Sequence, residues 1–301
     1  MTDRLPDFLL IGAARAGTTA LHSYLRQHPD IFMPARKEPN FFAFQNDVLD
    51  CKGPGADYIN NSVTDLTAYK ALFKPAPAHA KLGEASPLYL FSERAPANIK
   101  ETAPHAKMVV ILRNPIEQAY SHFMYATKQC IETEPDFEKA LDLERERLAQ
   151  GWQPLFGYSD FPRYGQQLAR YFDLFPRDQF LIRRYEDFLE TPSKLLRDIL
   201  EFIGVDPDFS PDMTDKLNAG GIPKNQAFQD FLMKSNPITR AIGLIVPQQT
   251  RLQIRDWMAA RNMSAPEEMS DMARSTLRHR LFDDIKALER LLDWDLSDWI
   301  R

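Results

Sequence analysis

Cysteine is nearly absent from this 301-residue chain. The two present, Cys51 and Cys130, are too few and too far apart for a disulfide framework or a zinc site, so both are expected to be reduced bystanders. Histidine is sparse as well: His22, His28, His79, His105, His122 and His279 show no metal-ligand spacing, and a metalloenzyme is not expected. The longest apolar runs, Phe8 to Ala14 and Ala241 to Val246, fall far short of the roughly 20 residues that cross a bilayer. No membrane span is expected. Met1 to Asp7 carries two acids and a proline and lacks the charged-then-apolar layout of a signal peptide, which predicts a cytoplasmic protein. Excess positive charge is missing too. With 37 Lys and Arg against 42 Asp and Glu, net −5, no nucleic-acid partner held by a generally basic surface is expected, although local basic pockets stay open.

What is there suffices for a core. Hydrophobic residues make up 44% and charged residues 26%, which excludes disordered and coiled-coil readings. The length suits one large α/β unit spanning 1–301, with a core at 7–227 and a helical C-terminal segment at 228–301. Phe8 to Ile11 and Met108 to Leu112 read as buried parallel strands, Phe180 to Arg183 as a third, and Lys81 to Glu84 as a weaker one. Leu21, Tyr24, Leu25 and His28 recur at helical spacing. A helix near Tyr89 to Glu101 should break or kink at Pro96. Asn114 and Pro115 supply the cap and first position of a helix running to about Lys128. Asp136 to Gln150, Tyr164 to Phe175 and Ser193 to Ile203 also read as helices, and Gly204 to Lys224 as a loop. This alternation predicts a P-loop-like parallel sheet with helices on both faces. In the C-terminal part Ile285, Leu288, Leu291 and Leu292 form a stripe that should dock on the body.

Glycine is also scarce, 12 in all, so two of them five apart in one loop require a local reason. Gly12 and Gly17 bracket Ala13-Ala14-Arg15-Ala16, with Thr18 and Thr19 following, between a strand and a helix. That is the G-x-x-x-x-G spacing of a phosphate loop, whose main-chain N–H groups and helix dipole stabilise an anion. Thr18 stands where the loop lysine of nucleotide-triphosphate enzymes belongs, and the nearest cation is Arg15. A second departure follows the Met108 to Leu112 strand. Where a magnesium-holding acid would sit there is Arg113, whose guanidinium offers bidentate bonds to phosphate. Ser121 lies two turns into the next helix and could add a hydroxyl donor. Two anion sites at two strand ends point to a ligand with two separate phosphate positions.

These residues resemble the sulfotransferase family that uses 3′-phosphoadenosine 5′-phosphosulfate (PAPS). Ala14 to Thr19 is similar to its 5′-phosphosulfate loop, where lysine is usual at the place of Arg15. Leu112-Arg113-Asn114-Pro115 with Ala119-Tyr120-Ser121-His122 is similar to its 3′-phosphate motif. The resemblance implies Arg15, Ala16, Gly17, Thr18 and Thr19 as donor-binding residues, and Arg113 and Ser121 as 3′-phosphate ligands. It also implies that Tyr185, in Arg183 to Asp187, lies near the adenosine, and that Lys224 is a phosphate ligand on a closing loop. Lys37 to Phe42 and Gly83 to Pro87 resemble the heparan-sulfate and bacterial branches. No histidine base stands near Glu84 to Pro87. The resemblance therefore implies Glu38 as general base, beside the apolar Phe41 and Phe42, which would raise its basicity. Lys37 reads as a solvated neighbour in preference to a cofactor contact.

The resemblance implies in-line sulfuryl transfer without metal, PAPS being the donor and a hydroxyl on a small molecule, lipid-like molecule or glycan the acceptor. Arginine keeps the charge of lysine but cannot deliver a proton, so Arg15 would act electrostatically. Two other readings stand beside it, a kinase-like phosphoryl transferase and a non-catalytic nucleotide binder. Trp152, Phe156, Tyr158, Phe161 and Tyr164 could line an acceptor pocket or simply be core.

Overall fold

A computed structural model of the chain describes residues 4–213 and 268–301, with a few single positions between them. Five parallel strands form one sheet in the order β2-β3-β1-β4-β5. They are β1 (Phe8–Gly12), β2 (Ile31–Phe32), β3 (Lys81–Ala85), β4 (Lys107–Leu112) and β5 (Phe180–Arg184). The central β1 is buried at every residue and β4 at all but its first, which is why both read as continuous apolar runs without alternation. The two-residue β2, which the sequence analysis does not predict, pairs with β3 at the edge.

Helices connect and flank these strands: α1 (Thr18–Leu25), α2 (Phe41–Phe44), α3 (Asp57–Asn60), α4 (Leu66–Ala71), α5 (Leu88–Phe91), α6 (Ala95–Thr102), α7 (Pro115–Lys128), α8 (Phe137–Ala149), α9 (Tyr164–Phe172), α10 (Tyr185–Glu190), α11 (Pro192–Ile203) and, past the undescribed stretch, α12 (Asp271–Leu292). The fold class is α/β, as the alternation predicts. Asn114 caps α7 by accepting from the N–H groups of Ile116 and Glu117 at 3.0 and 3.4 Å, and Pro115 opens the helix where no N–H is needed.

The interruption expected at Pro96 falls earlier. Ser92 Oγ accepts from the N–H groups of Arg94 and Ala95, at 3.3 and 3.2 Å, and separates α5 from α6. Pro96 then sits harmlessly in the first turn of α6. The C-terminal stripe also shifts. Ala273, Leu277, Leu281, Ile285 and Leu288 are the buried positions of α12, facing α9, α7 and α8, while Leu291 and Leu292 are only half-buried. Asp284 of α12 accepts from the N–H groups of Gly165 and Gln166, both at 2.9 Å. It thereby satisfies the first turn of α9 from across the molecule. Residues 204–213 carry no helix or strand, in keeping with the loop reading; the rest of that loop lies outside the described residues. No described helix is long and apolar enough to cross a membrane.

Candidate active site

Four neighbouring strands deliver the candidate residues at their carboxyl ends, where open parallel sheets bind ligands. The loop with Arg15 leaves β1, Arg113 follows β4, Tyr185 follows β5, and the turn carrying Glu38 docks on the end of β3 through the Glu38 N–H to Ala85 carbonyl bond at 3.0 Å. The pairing register of β1 with β4 shifts between Leu10 and Gly12, and the chain turns out of the sheet there. The N–H of Ala13 donates to the Ile111 carbonyl at 2.8 Å, anchoring the start of the loop to β4. Both glycines have steric reasons. A Cβ on Gly12 would lie 2.6 Å from Leu90 Cδ2, and one on Gly17, at φ 82°, would lie 2.6 Å from Phe188 Cε1. Gly17 caps α1, and the first N–H groups of that helix have no intrahelical acceptor, an arrangement that suits an anion.

Arg15 and Arg113 meet at this loop. Arg113 Nη1 donates to the Arg15 carbonyl at 3.1 Å, Arg15 Nε donates to Ser121 Oγ at 3.4 Å, and Gln118 Nε2 donates to the Ala14 carbonyl at 3.3 Å. Ser121, on α7, is thus in contact with Arg15 of the loop. Burial lowers the pKa of Arg15, and the Arg113 charge acts in the same direction while Tyr125, Tyr185 and Glu38 oppose it. Among the described residues no carboxylate forms an ion pair with Arg15 or Arg113, and two cations held close in this way favour a bound polyanion. Arg113 also lies over the Tyr185 ring, 5.1 Å from its centroid. Tyr185 is thus in the same cluster. Arg183 and Arg184 are not available to a phosphate, being paired with Asp198 at 2.9 Å and Asp298 at 2.5 Å.

Glu38 stands at φ 57° in the turn after Lys37, and Lys37 Nζ donates to its Oε1. Lys37 is accordingly an ion-pair partner rather than a solvated bystander. The apolar setting expected around Glu38 belongs instead to Glu84. Phe41 stacks on Tyr69 at 4.3 Å and Phe42 meets Tyr89 edge-on at 5.4 Å, and both phenols donate to Glu84 Oε2, at 3.3 and 2.7 Å. Ser86 Oγ donates to Glu84 Oε1 at 2.5 Å and accepts from the Asn40 N–H at 3.1 Å. Burial pushes Glu84 up to about 7 against these hydrogen bonds. A group so enclosed cannot reach a substrate; it holds Asn40, and with it the Glu38 turn, against β3. The signal for it was present in Gly83 to Pro87, but not the burial that decides its role.

The aromatic group is mostly core: Phe156, Tyr158, Phe161 and Tyr164 are buried and Trp152 half-buried. His122 joins that cluster, edge-on to Phe161 at 4.8 Å and to Tyr158 at 5.6 Å. Burial, with Arg15 adding to it, depresses its pKa to about 3, so it is neutral and not an acid. Tyr125, which the motif reading passes over, lies under Arg15, with the guanidinium carbon 4.4 Å from its ring centroid. Lys224 lies outside the described residues. Neither Cys51 nor Cys130 forms a disulfide among the described residues.

Comparison with known proteins points to one family. A family model described as "Sulfotransferase family" matches residues 6–211. The chain is 27% identical over 224 residues to mouse bifunctional heparan sulfate N-deacetylase/N-sulfotransferase 3, covering 69% of this chain and 23% of that protein. It is 27% identical over 203 residues to mouse heparan sulfate glucosamine 3-O-sulfotransferase 3B1, covering 67% of this chain and 47% of the other. The chain thus spans from less than a quarter to just under half of the length of these relatives. Among solved structures, a sulfotransferase from Alicyclobacillus acidocaldarius superposes with a TM-score of 0.77 at 30% identity, covering 99% of this chain and 100% of that one.

Proposed function

Because the chain belongs to the sulfotransferase family, we propose that its site moves a sulfuryl group from PAPS to an acceptor hydroxyl on a small molecule, a lipid-like molecule or a glycan. One observation carries this reading: Arg15 and Arg113, on adjacent strand ends, are joined through the Arg113 to Arg15 carbonyl bond, and Arg15 in turn reaches Ser121. That layout suits one ligand with two anionic ends better than two unrelated ions. The donor, when bound, supplies an activated sulfuryl group on its 5′-phosphate.

Arg113 with Ser121 would hold the 3′-phosphate, and Tyr185 would flank the adenosine. Arg15 with the N–H groups of Gly17, Thr18 and Thr19 would stabilise charge on the 5′-phosphate side as the bond to sulfur breaks. Glu38 would take the acceptor proton as the acceptor oxygen attacks sulfur in line and 3′-phosphoadenosine 5′-phosphate leaves. Lys224 is carried over from the resemblance as a further phosphate ligand. We read 7–227 as the core of a single domain that continues to residue 301, a reading supported by the seat of α12 on α7, α8 and α9, and we place it in the cytoplasm.

The kinase-like reading is not favoured, since Thr18 and Arg113 replace the loop lysine and the magnesium-holding acid. We propose a reaction without a divalent ion, supported by the guanidinium at the end of β4; full turnover in a chelator is the expected result. The main test is calorimetry with 3′-phosphoadenosine 5′-phosphate. Arg113→Ala should weaken binding by about ten- to a hundredfold, the worth of a charge-assisted hydrogen bond. Equal affinity in wild type and variant would overturn the assignment.

A further inference from the structure

Arginine at position 15 poses a geometric problem that lysine does not. An ammonium is a point charge on a flexible stem and works in many orientations, whereas a guanidinium is a flat fork whose donors lie in one plane. A loop that carries arginine must therefore fix that plane. The backbone at Arg15 is in the left-handed region, φ 64°, and launches the side chain toward α7. There two residues one helical turn apart, and hence on one face, receive it. Ser121 Oγ accepts from Nε at 3.4 Å, and the Tyr125 ring lies 4.4 Å from the guanidinium carbon. Among the described residues no hydrogen bond engages Nη1 or Nη2 of Arg15, so the end of the fork is left for a ligand. Tyr125 is 38% exposed, at the rim of the cluster. Burial raises its phenol pKa, Glu38 pushes it the same way and Arg15 opposes, so the phenol sits within electrostatic reach of both the cation and the candidate base.

We propose that Tyr125 is the positioning residue for Arg15: its ring face sets the plane of the guanidinium, so that Nη1 and Nη2 address the sulfuryl-bearing end of the donor. The proposal rests on the functional reading above and adds a residue to it. The hydroxyl is not needed for this role; the ring face is. The role is specific to arginine, because lysine at position 15 has no plane to orient.

The test is a double-mutant cycle read on the dissociation constant of PAPS, which requires no acceptor. Tyr125→Leu should weaken PAPS binding by about five- to thirtyfold, the range of a partly desolvated cation–π contact. Tyr125→Phe should stay within about twofold of wild type, because the phenyl ring keeps the stacking face. In an Arg15→Lys background, Tyr125→Leu should add less than about a factor of two, since the contact it removes is already changed. Adenosine 3′-monophosphate, which reaches only the Arg113 end, should bind Tyr125→Leu as it binds wild type. Additive losses in the two backgrounds, an unaltered PAPS affinity in Tyr125→Leu, or a loss in Tyr125→Phe equal to that in Tyr125→Leu would each overturn the proposal. A parallel loss of adenosine 3′-monophosphate would do so too, by showing general damage. Wild-type protein that binds neither nucleotide would instead sink the functional reading on which it rests.

Discussion

At the scale of the residue, charge and its partners separate two glutamates that the sequence places in similar motifs. Glu38 is partly exposed, lies within electrostatic reach of Arg15 and is paired with Lys37. Glu84 is enclosed by three hydroxyls. Glu38→Gln removes a proton acceptor while keeping shape, so turnover should fall by about 10²–10⁴-fold. Nucleotide affinity should not change, and steady-state kinetics beside calorimetry separates the two effects. Glu84 predicts a different signature. Its pKa is near 7 in the folded protein against an ordinary 4.5, so the native state binds the extra proton between those values and stability falls as pH rises through that window. The cost at neutral pH is on the order of 3 kcal/mol. Glutamine is the isostere of the protonated acid. Thermal unfolding at pH 5 and pH 7.5 should show a drop in wild type that is clearly smaller in Glu84→Gln; an identical drop would refute the assignment. Glu144, also raised to about 7 by burial, supplies the drop that persists.

At the scale of the element, the loop between β1 and α1 works because its glycines let neighbouring chains come close. Gly17→Ala would place a methyl group on the ring of Phe188 in a backbone conformation that costs an L-residue roughly 1–2 kcal/mol. The expected result is a melting midpoint lowered by roughly 2–8 °C together with weaker binding of 3′-phosphoadenosine 5′-phosphate; a variant unchanged in both would contradict the loop geometry. The sequence made this element legible through its spacing, and likewise α7 through Asn114 and Pro115. It did not make legible the split between α5 and α6, because Ser92 bonding to its own neighbours outweighs the proline signal two residues beyond α6's start cap. The short β2 escaped notice since two residues give no periodicity to read.

At the scale of the whole molecule, the C-terminal helix completes a distant one. Asp284 caps α9 and is joined there by the buried stripe of α12. A Cβ on Gly165 would lie 2.6 Å from the Asp284 carbonyl oxygen, so the two helices meet at backbone distance. Asp284→Ala should therefore cost about 0.5–2 kcal/mol, the usual worth of a lost cap, lowering the melting midpoint while leaving the nucleotide affinity of the folded protein unchanged. Altered affinity would mean that α12 reaches the site itself.

The sequence alone determined the strand–loop–helix units, the parallel sheet they imply and the choice of candidate anion-binding residues, because each is written in local spacing over a few neighbouring positions. Tertiary structure alone decided which of these residues meet. The order β3-β1-β4-β5 sets Glu38, Arg15, Arg113 and Tyr185 side by side, although they are spread over 170 residues of chain. It also gave the apolar surroundings to Glu84 instead of Glu38, and placed Tyr125 under Arg15. Burial and long-range contact are properties of the folded surface, and no local pattern encodes them.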